Sequence, residues 1–233
     1  LGAADFTGKE KEADAILKKA NDFYKSLAKK NINKSFQKAF ASLITNYMSG
    51  QLYFLKPEKA VNAFVEMSTR TFSNFQPNDL NIVGYTNLSL SYFSLGKYRE
   101  ALSCINRVVN IKNNFRMDIQ AFGRMFLLIV HYEMKNLDLL PYISKSSERW
   151  LNKNNYSPKN FDRILLDFFK YKILKINNAK EEANELSILL AHFKKFSDKD
   201  YSILKNEFDM ASWLESKIEN RPFAEVVREK AGK

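Results

Sequence analysis

Apolar residues recur at intervals of three and four along almost the whole chain, from Ile16 to Val227. That period belongs to helices with one buried face. Ile16, Leu17, Ala20, Phe23, Tyr24 and Leu27 make one stripe. Phe36, Phe40, Leu43, Ile44 and Tyr47 make the next, after the polar break KKNINKS. In KPEK, Pro57 stands at a first-turn position, where its missing N–H leaves no bond unmade. Ala60, Val61, Phe64, Val65 and Phe72 follow, and QPND ends that helix and opens another near Asp79. The same spacing predicts helices over about 117–134, 137–151, 158–176 and 179–196. Two or three shorter ones over about 200–231 carry Trp213, Leu214, Ile218, Phe223, Val226 and Val227.

Seven glycines and five prolines in 233 residues are too few for the tight turns of an all-β chain. A hydrophobic fraction of 45%, with 19 Phe and 11 Tyr, supplies a core and argues against disorder over most of the length. No Ser/Gly linker or low-complexity tract divides the chain. The expected fold class is therefore all-α, one helical domain over 1–233, with helix pairs over about 10–196 and capping helices over about 197–233.

One stretch is more specific. In SYFSLGKYREALSCINRVVNI, residues 91–111, Gly96 falls between two apolar seams. Leu88, Tyr92 and Leu95 form the first; Ala101, Leu102, Ile105, Val108 and Val109 form the second. Glycine accepts the left-handed conformation that ends a helix, and a small Ala101 lets two antiparallel helices approach closely.

This unit resembles the tetratricopeptide repeat, with Leu88, Tyr92, Gly96, Tyr98, Ala101 and Ile105 at signature positions and Val108 in place of a usual small residue. Tyr85 and Asn113 stand at or near the places of the usual tryptophan and closing proline. The resemblance is specific over about 84–113 and degenerate over about 33–196. Ala60, Ala101, Leu140 and Ala183 start related patterns 41, 39 and 43 residues apart, against a period of about 34 in a strict repeat. The stretch MDIQAFGRMFLLIVHYEMKNLDLLPYISKSSERWL is also similar to uncharacterised bacterial helical-repeat proteins.

The resemblance implies antiparallel helix pairs stacked as an α-solenoid, with a concave face lined by the first helix of each pair. Val83, Thr86, Asn87, Leu90 and Phe93 would line it in one unit, and Phe122, Met125, Ile129 and Tyr132 in the next. The implied function is non-enzymatic binding of a protein or peptide segment in that groove. Repeats that capture a terminal carboxylate carry Lys and Asn here, and Thr86 and Leu90 depart from that pattern.

The residues themselves point to no catalytic constellation. Cys104 lies on an inward face, where a free cysteine acts as a small hydrophobe. His131 reads as a hydrogen-bonded packing residue and His192 as a surface or boundary residue. Two histidines and one cysteine do not assemble a transition-metal site, and no glycine-rich loop cradles a phosphate. Ile164, Leu165, Phe168 and Phe169 fit a buried helix. The acids of KEKEAD and KEEANE read as partners of neighbouring lysines on exposed helix faces. No catalytic residue, cofactor or metal is expected.

The net charge of +11 is spread along the chain, and the last 33 residues carry none of it. That favours a solvated surface over a nucleic-acid footprint, although salt-sensitive nucleic-acid binding is one alternative function. A second is the ligand-sensing part of a larger bacterial regulator with a DNA-binding part upstream. No apolar run reaches membrane-span length, and LGAADFTGKEKEAD lacks the order of a signal peptide. The expectation is a cytoplasmic protein with a protein partner and no membrane partner.

Overall fold

A chain this poor in glycine has to end its helices on other residues. The computed structural model describes residues 3–27, 34–53, 55–71, 79–111, 115–158, 160–195, 202–204 and 207–232. Phe72, the break at 29–33, residues 76–78, and the side chains of Tyr24 and Leu27 lie outside what it describes. Leu55, Lys135, Asn155 and Asn220 take the left-handed conformation, with φ of 58°, 58°, 63° and 50°. After each, the next N–H reaches back five positions: Lys56 to Gln51, Asn136 to His131, Tyr156 to Leu151 and Arg221 to Ser216, at 2.8–3.0 Å. Each bond closes a last helical turn as a terminal glycine would. A Cβ in that conformation costs about 1–2 kcal/mol, which the packing of the flanking helices must offset. Gly96 has φ +70°, with open space where a Cβ would stand.

Among the described residues the chain is all-α, with no strand. It divides into two compact units, Leu1–Leu95 and Gly96–Lys233. The first holds α1 (Ala3–Leu27), α2 (Lys34–Tyr53), α3 (Pro57–Thr71) and α4 (Asp79–Ser94). Helix α2 packs on the other three, and α3 also packs on α4. Phe40, Ala41, Ile44 and Met48 of α2, Ala60, Ala63 and Phe64 of α3, and Ile82 and Leu88 of α4 are buried in its core. Asn87 stitches α4 to α2, its amide donating to the Thr45 carbonyl at 3.1 Å and to Ser49 Oγ at 2.8 Å. Thr86, Ser91 and Ser94 donate to carbonyls four residues back, so α4 buries hydroxyls without leaving their donors unmade.

The second unit holds α5 (Tyr98–Val109), α6 (Met117–Glu133), α7 (Leu140–Lys153), α8 (Asn160–Asp167), α9 (Ala179–Lys195), α10 (Met210–Ile218) and α11 (Phe223–Lys230). From α5 to α11, each helix packs on the next in the chain. Helices α5 and α6 meet at Gly123, where a Cβ would stand 3.2 Å from Val108 and Val109 methyls and 3.3 Å from Ile105 Cδ1. The single helix expected over 158–176 is instead α8, a π turn (Phe168–Lys172) and a 3-10 turn (Ile173–Lys175). Phe168 and Ile173, five residues apart, are both buried. A π turn brings that spacing onto one face, where an α turn would set the two well apart. A further 3-10 turn, Leu137–Leu139, precedes α7.

Helix α6 is the centre of this unit. The Tyr132 ring meets Trp213 of α10 edge-on at 5.5 Å and Phe169 of the π turn at 6.0 Å, and its hydroxyl donates to Glu182 of α9. Phe126 meets Phe208, which stacks on Phe223. Glu133 receives Trp213 Nε1 at 2.6 Å, the Lys217 ammonium at 2.8 Å and the Tyr98 hydroxyl. Arg124 donates to the Val109 carbonyl at 2.8 Å and lies 4.3 Å over the Trp150 ring; burial pushes its pKa down to about 10. The C-terminal helices therefore fold back on α6 and α9, rather than only ending a row.

Asp162 is buried in α8 and takes Ser202 Oγ and the Ile203 N–H, both at 2.8 Å. Burial raises its pKa to about 6, against the opposing pull of those two bonds. An acid raised in this way binds its proton more tightly in the folded chain than in the unfolded one. It penalises the fold above pH 6, and the penalty disappears as the pH falls through 6 towards 4.

Two outcomes follow, both measurable by urea unfolding. Gly96→Ala should lose about 1 kcal/mol, from backbone conformation alone. Asp162→Asn should show, relative to wild type, a stability difference that shifts by about 1.3 kcal/mol in favour of wild type between pH 7 and pH 5.

Candidate functional site

Helix α1 inverts the pattern expected of it. Ile16 and Phe23 of its apolar stripe are 47% and 55% exposed, whereas Glu10 is buried. The cause is the start of α3. The left-handed Leu55 and Pro57 fix the entry to that helix and present two ammonium groups to α1. Lys56 donates to Glu10 at 2.6 Å; Lys59 donates to Glu10 at 2.7 Å and to Asp14 at 2.5 Å. A carboxylate with that many charged donors tolerates burial. Lys56 and then Lys59 hold Glu10 below the usual carboxylate range, and Asp14 and then Glu10 hold Lys59 above its ordinary value. Glu10 and Asp14 of KEKEAD thus pair across to α3 and not within their own helix. In KEEANE, Glu182 takes Tyr132 and Glu185 takes Lys172 at 2.8 Å, whereas Glu181 takes the neighbouring Asn177 N–H and Asn178 amide.

Beside this cluster, α1, α2 and α3 leave a cleft of about 310 Å³. Asp14, Leu17, Lys18 and Asn21 line it from α1, Tyr47 from α2, and Lys59, Asn62, Ala63 and Glu66 from α3. Its carboxylates already have donors. Asp14 takes the Tyr47 hydroxyl at 2.7 Å as well as Lys59. Glu66 takes the Asn21 amide at 2.7 Å and faces Lys25 at 3.5 Å. Burial, and then the bond to Asp14, push the Tyr47 phenol up, so it stays a donor at neutral pH. The Lys18 ammonium and the Asn62 amide have no polar partner within the described residues. Among the described residues the one unmatched charge lining the cleft is therefore the Lys18 ammonium, with Leu17 and Ala63 as its apolar neighbours in the lining. Such a site receives an anionic group on an extended ligand.

The residues singled out from sequence lie elsewhere. Phe93, Phe122, Met125, Ile129 and Tyr132 are at most 2% exposed, and Thr86 and Asn87 are buried. Val83 and Leu90 are half-buried. Tyr132 is covered by Trp213, Phe169 and Glu182, so a partner reaching it must displace α10. Of the repeat signature, Leu88, Ala101, Ile105 and Val108 are buried, while Tyr92 and Tyr98 are half-buried. Cys104 is buried, and its thiol is pushed up to about 11 by burial. His131 lies 3.1 Å from the Asn136 amide and is lowered by burial, which keeps it neutral at pH 7. His192 is half-buried. Leu165, Phe168 and Phe169 are buried and Ile164 half-buried.

Among the described residues, no group of three or more His, Cys, Asp and Glu side chains is placed to hold a metal ion, and no helix is long and apolar enough to cross a membrane. No family model, no curated protein and no solved structure matches the chain.

The cleft was missed because its acids look like local ion pairs. One signal was available: Glu10 and Asp14 stand four apart, as do acids that share a helix face, and Lys56 and Lys59 stand three apart.

Lys59→Met should lose about 1–2 kcal/mol at pH 7, since Glu10 keeps Lys56 while Asp14 loses its cation. An acid held low contributes stability above its unfolded pKa and loses it as the pH falls. Urea unfolding should accordingly show the gap between wild type and Lys59→Met narrowing from pH 5 to pH 3.

Proposed function

We propose that the chain is a non-enzymatic, helical-repeat-like binding module that takes an acidic protein or peptide segment in the cleft between α1, α2 and α3. The observation that carries this reading is the pairing of satisfied carboxylates with an ammonium and an amide that have no partner among the described residues, along one cleft. An acidic segment supplies the missing acceptors, and Leu17 and Ala63 offer its side chains apolar contact.

The tetratricopeptide-like, solenoidal arrangement belongs to the same proposal. Two observations support it: the positive φ of Gly96, and the packing of each helix on the next from α5 to α11. In this reading the first unit's cleft takes over the role that the resemblance assigned to the concave face.

The test is a random peptide library panned against the full chain, with an enriched peptide then titrated into variants. Peptides rich in Asp and Glu should emerge. Lys18→Glu and Asn62→Asp should each weaken binding by about tenfold, the loss of one charge-assisted hydrogen bond, with far-UV circular dichroism unchanged. A lack of enrichment would overturn the proposal. So would peptides that ignore both substitutions but respond to Leu90→Lys, which would move the site to α4.

A further inference from the structure

The second unit exposes four large apolar side chains, on elements that pack together, that its own core does not use. They lie where the 3-10 turn before α7 packs on the 3-10 turn after the π turn, and where α7 itself packs on the π turn. Leu139 and Tyr142 stand three apart on the first pair of elements, 49% and 76% exposed. Tyr171 and Leu174 stand three apart on the second, each 55% exposed. The π turn explains how a stretch that buries Phe168, Phe169 and Ile173 also turns two large side chains outward. Single exposed apolar residues need no explanation, but four on elements packed together do.

The charges around them have a sign. Lys145 and Lys175 are exposed, and their ammonium groups have no partner among the described residues. Lys170 lies 4.9 Å over the Tyr171 ring and is paired with Glu148, and Lys172 is paired with Glu185. Asp138 is the exposed acid nearby. A second copy of the chain docked symmetrically here would bring Lys145 and Lys175 towards their equivalents, which disfavours self-association. A side chain as exposed as Tyr142 would be covered either by a matched hollow in a rigid partner or by a deformable phase. Tyrosine and leucine settle at headgroup depth, and flanking lysines gain from anionic headgroups there.

We propose that this patch attaches the chain to the surface of an anionic phospholipid bilayer, with Tyr142 and Leu174 entering the headgroup layer and Lys145 and Lys175 against phosphates. This departs from the sequence-based expectation of no membrane partner, and it is independent of the peptide cleft.

The experiment is co-sedimentation of the full chain with vesicles of phosphatidylcholine plus phosphatidylserine, and with phosphatidylcholine alone, at physiological ionic strength. Binding should require phosphatidylserine. A charge of +11 draws any chain to anionic lipid, so the decisive variant leaves charge unchanged: Tyr142→Ser with Leu174→Ser should weaken binding at least about tenfold, from the apolar area withdrawn. Lys145→Glu with Lys175→Glu should weaken it further, whereas Lys18→Glu should have little effect. Absence of wild-type binding would overturn the proposal. So would equal binding by the serine variant, which assigns the attraction to general charge. A wild-type dimer in sedimentation velocity that the serine variant loses would assign the patch to a second copy and overturn it too.

Discussion

The second unit depends on one carboxylate. Glu133 closes α6, with a side chain only 7% exposed, and burying such a group is unfavourable unless donors surround it. Three donors do so: Tyr98 from the start of α5, and Trp213 and Lys217 from α10, the last two 80 and 84 residues away in sequence. Apolar contacts alone would allow α10 to slide or rotate against α6, because the hydrophobic effect has little directional preference. A buried acid that must meet an indole N–H and an ammonium together allows far fewer placements. Once α10 is held there, Trp213 covers Tyr132, and the face of α6 facing it becomes interior.

The same chemistry shapes the first unit. Glu10 is buried against Lys56 and Lys59, which turns α1 so that acids face α3 and part of its apolar stripe faces outward. The cleft beside the cluster is a consequence of that rotation. The proposed binding chemistry therefore rests on how ionic contacts between helices override the ordinary inside-out rule, not on a motif.

Cleft and patch use opposite means. One is concave and polar, with its acids neutralised from within and with Lys18 and Asn62 unpaired among the described residues. The other is protruding and apolar, with free cations at its rim. They lie in different units, so each stands or falls alone.

Helix period, scarce glycine and abundant Phe and Tyr determined the all-α class and most helix positions, because a 3.6-residue repeat of apolar side chains is a local property. Gly96 was legible as a helix end for the same reason: only backbone conformation is at stake. Leu55 and Lys135 end helices just as firmly, yet no local signal marks them, since their strain is offset by packing. Whether Glu10 faced solvent or Lys59, and whether Tyr132 lined a groove or lay beneath Trp213, depended on partners 49 and 81 residues away. Sequence spacing reports which residues share a helix face. Only the tertiary fold decides what that face meets, because the energy of a buried charge or ring depends on the partner brought to it.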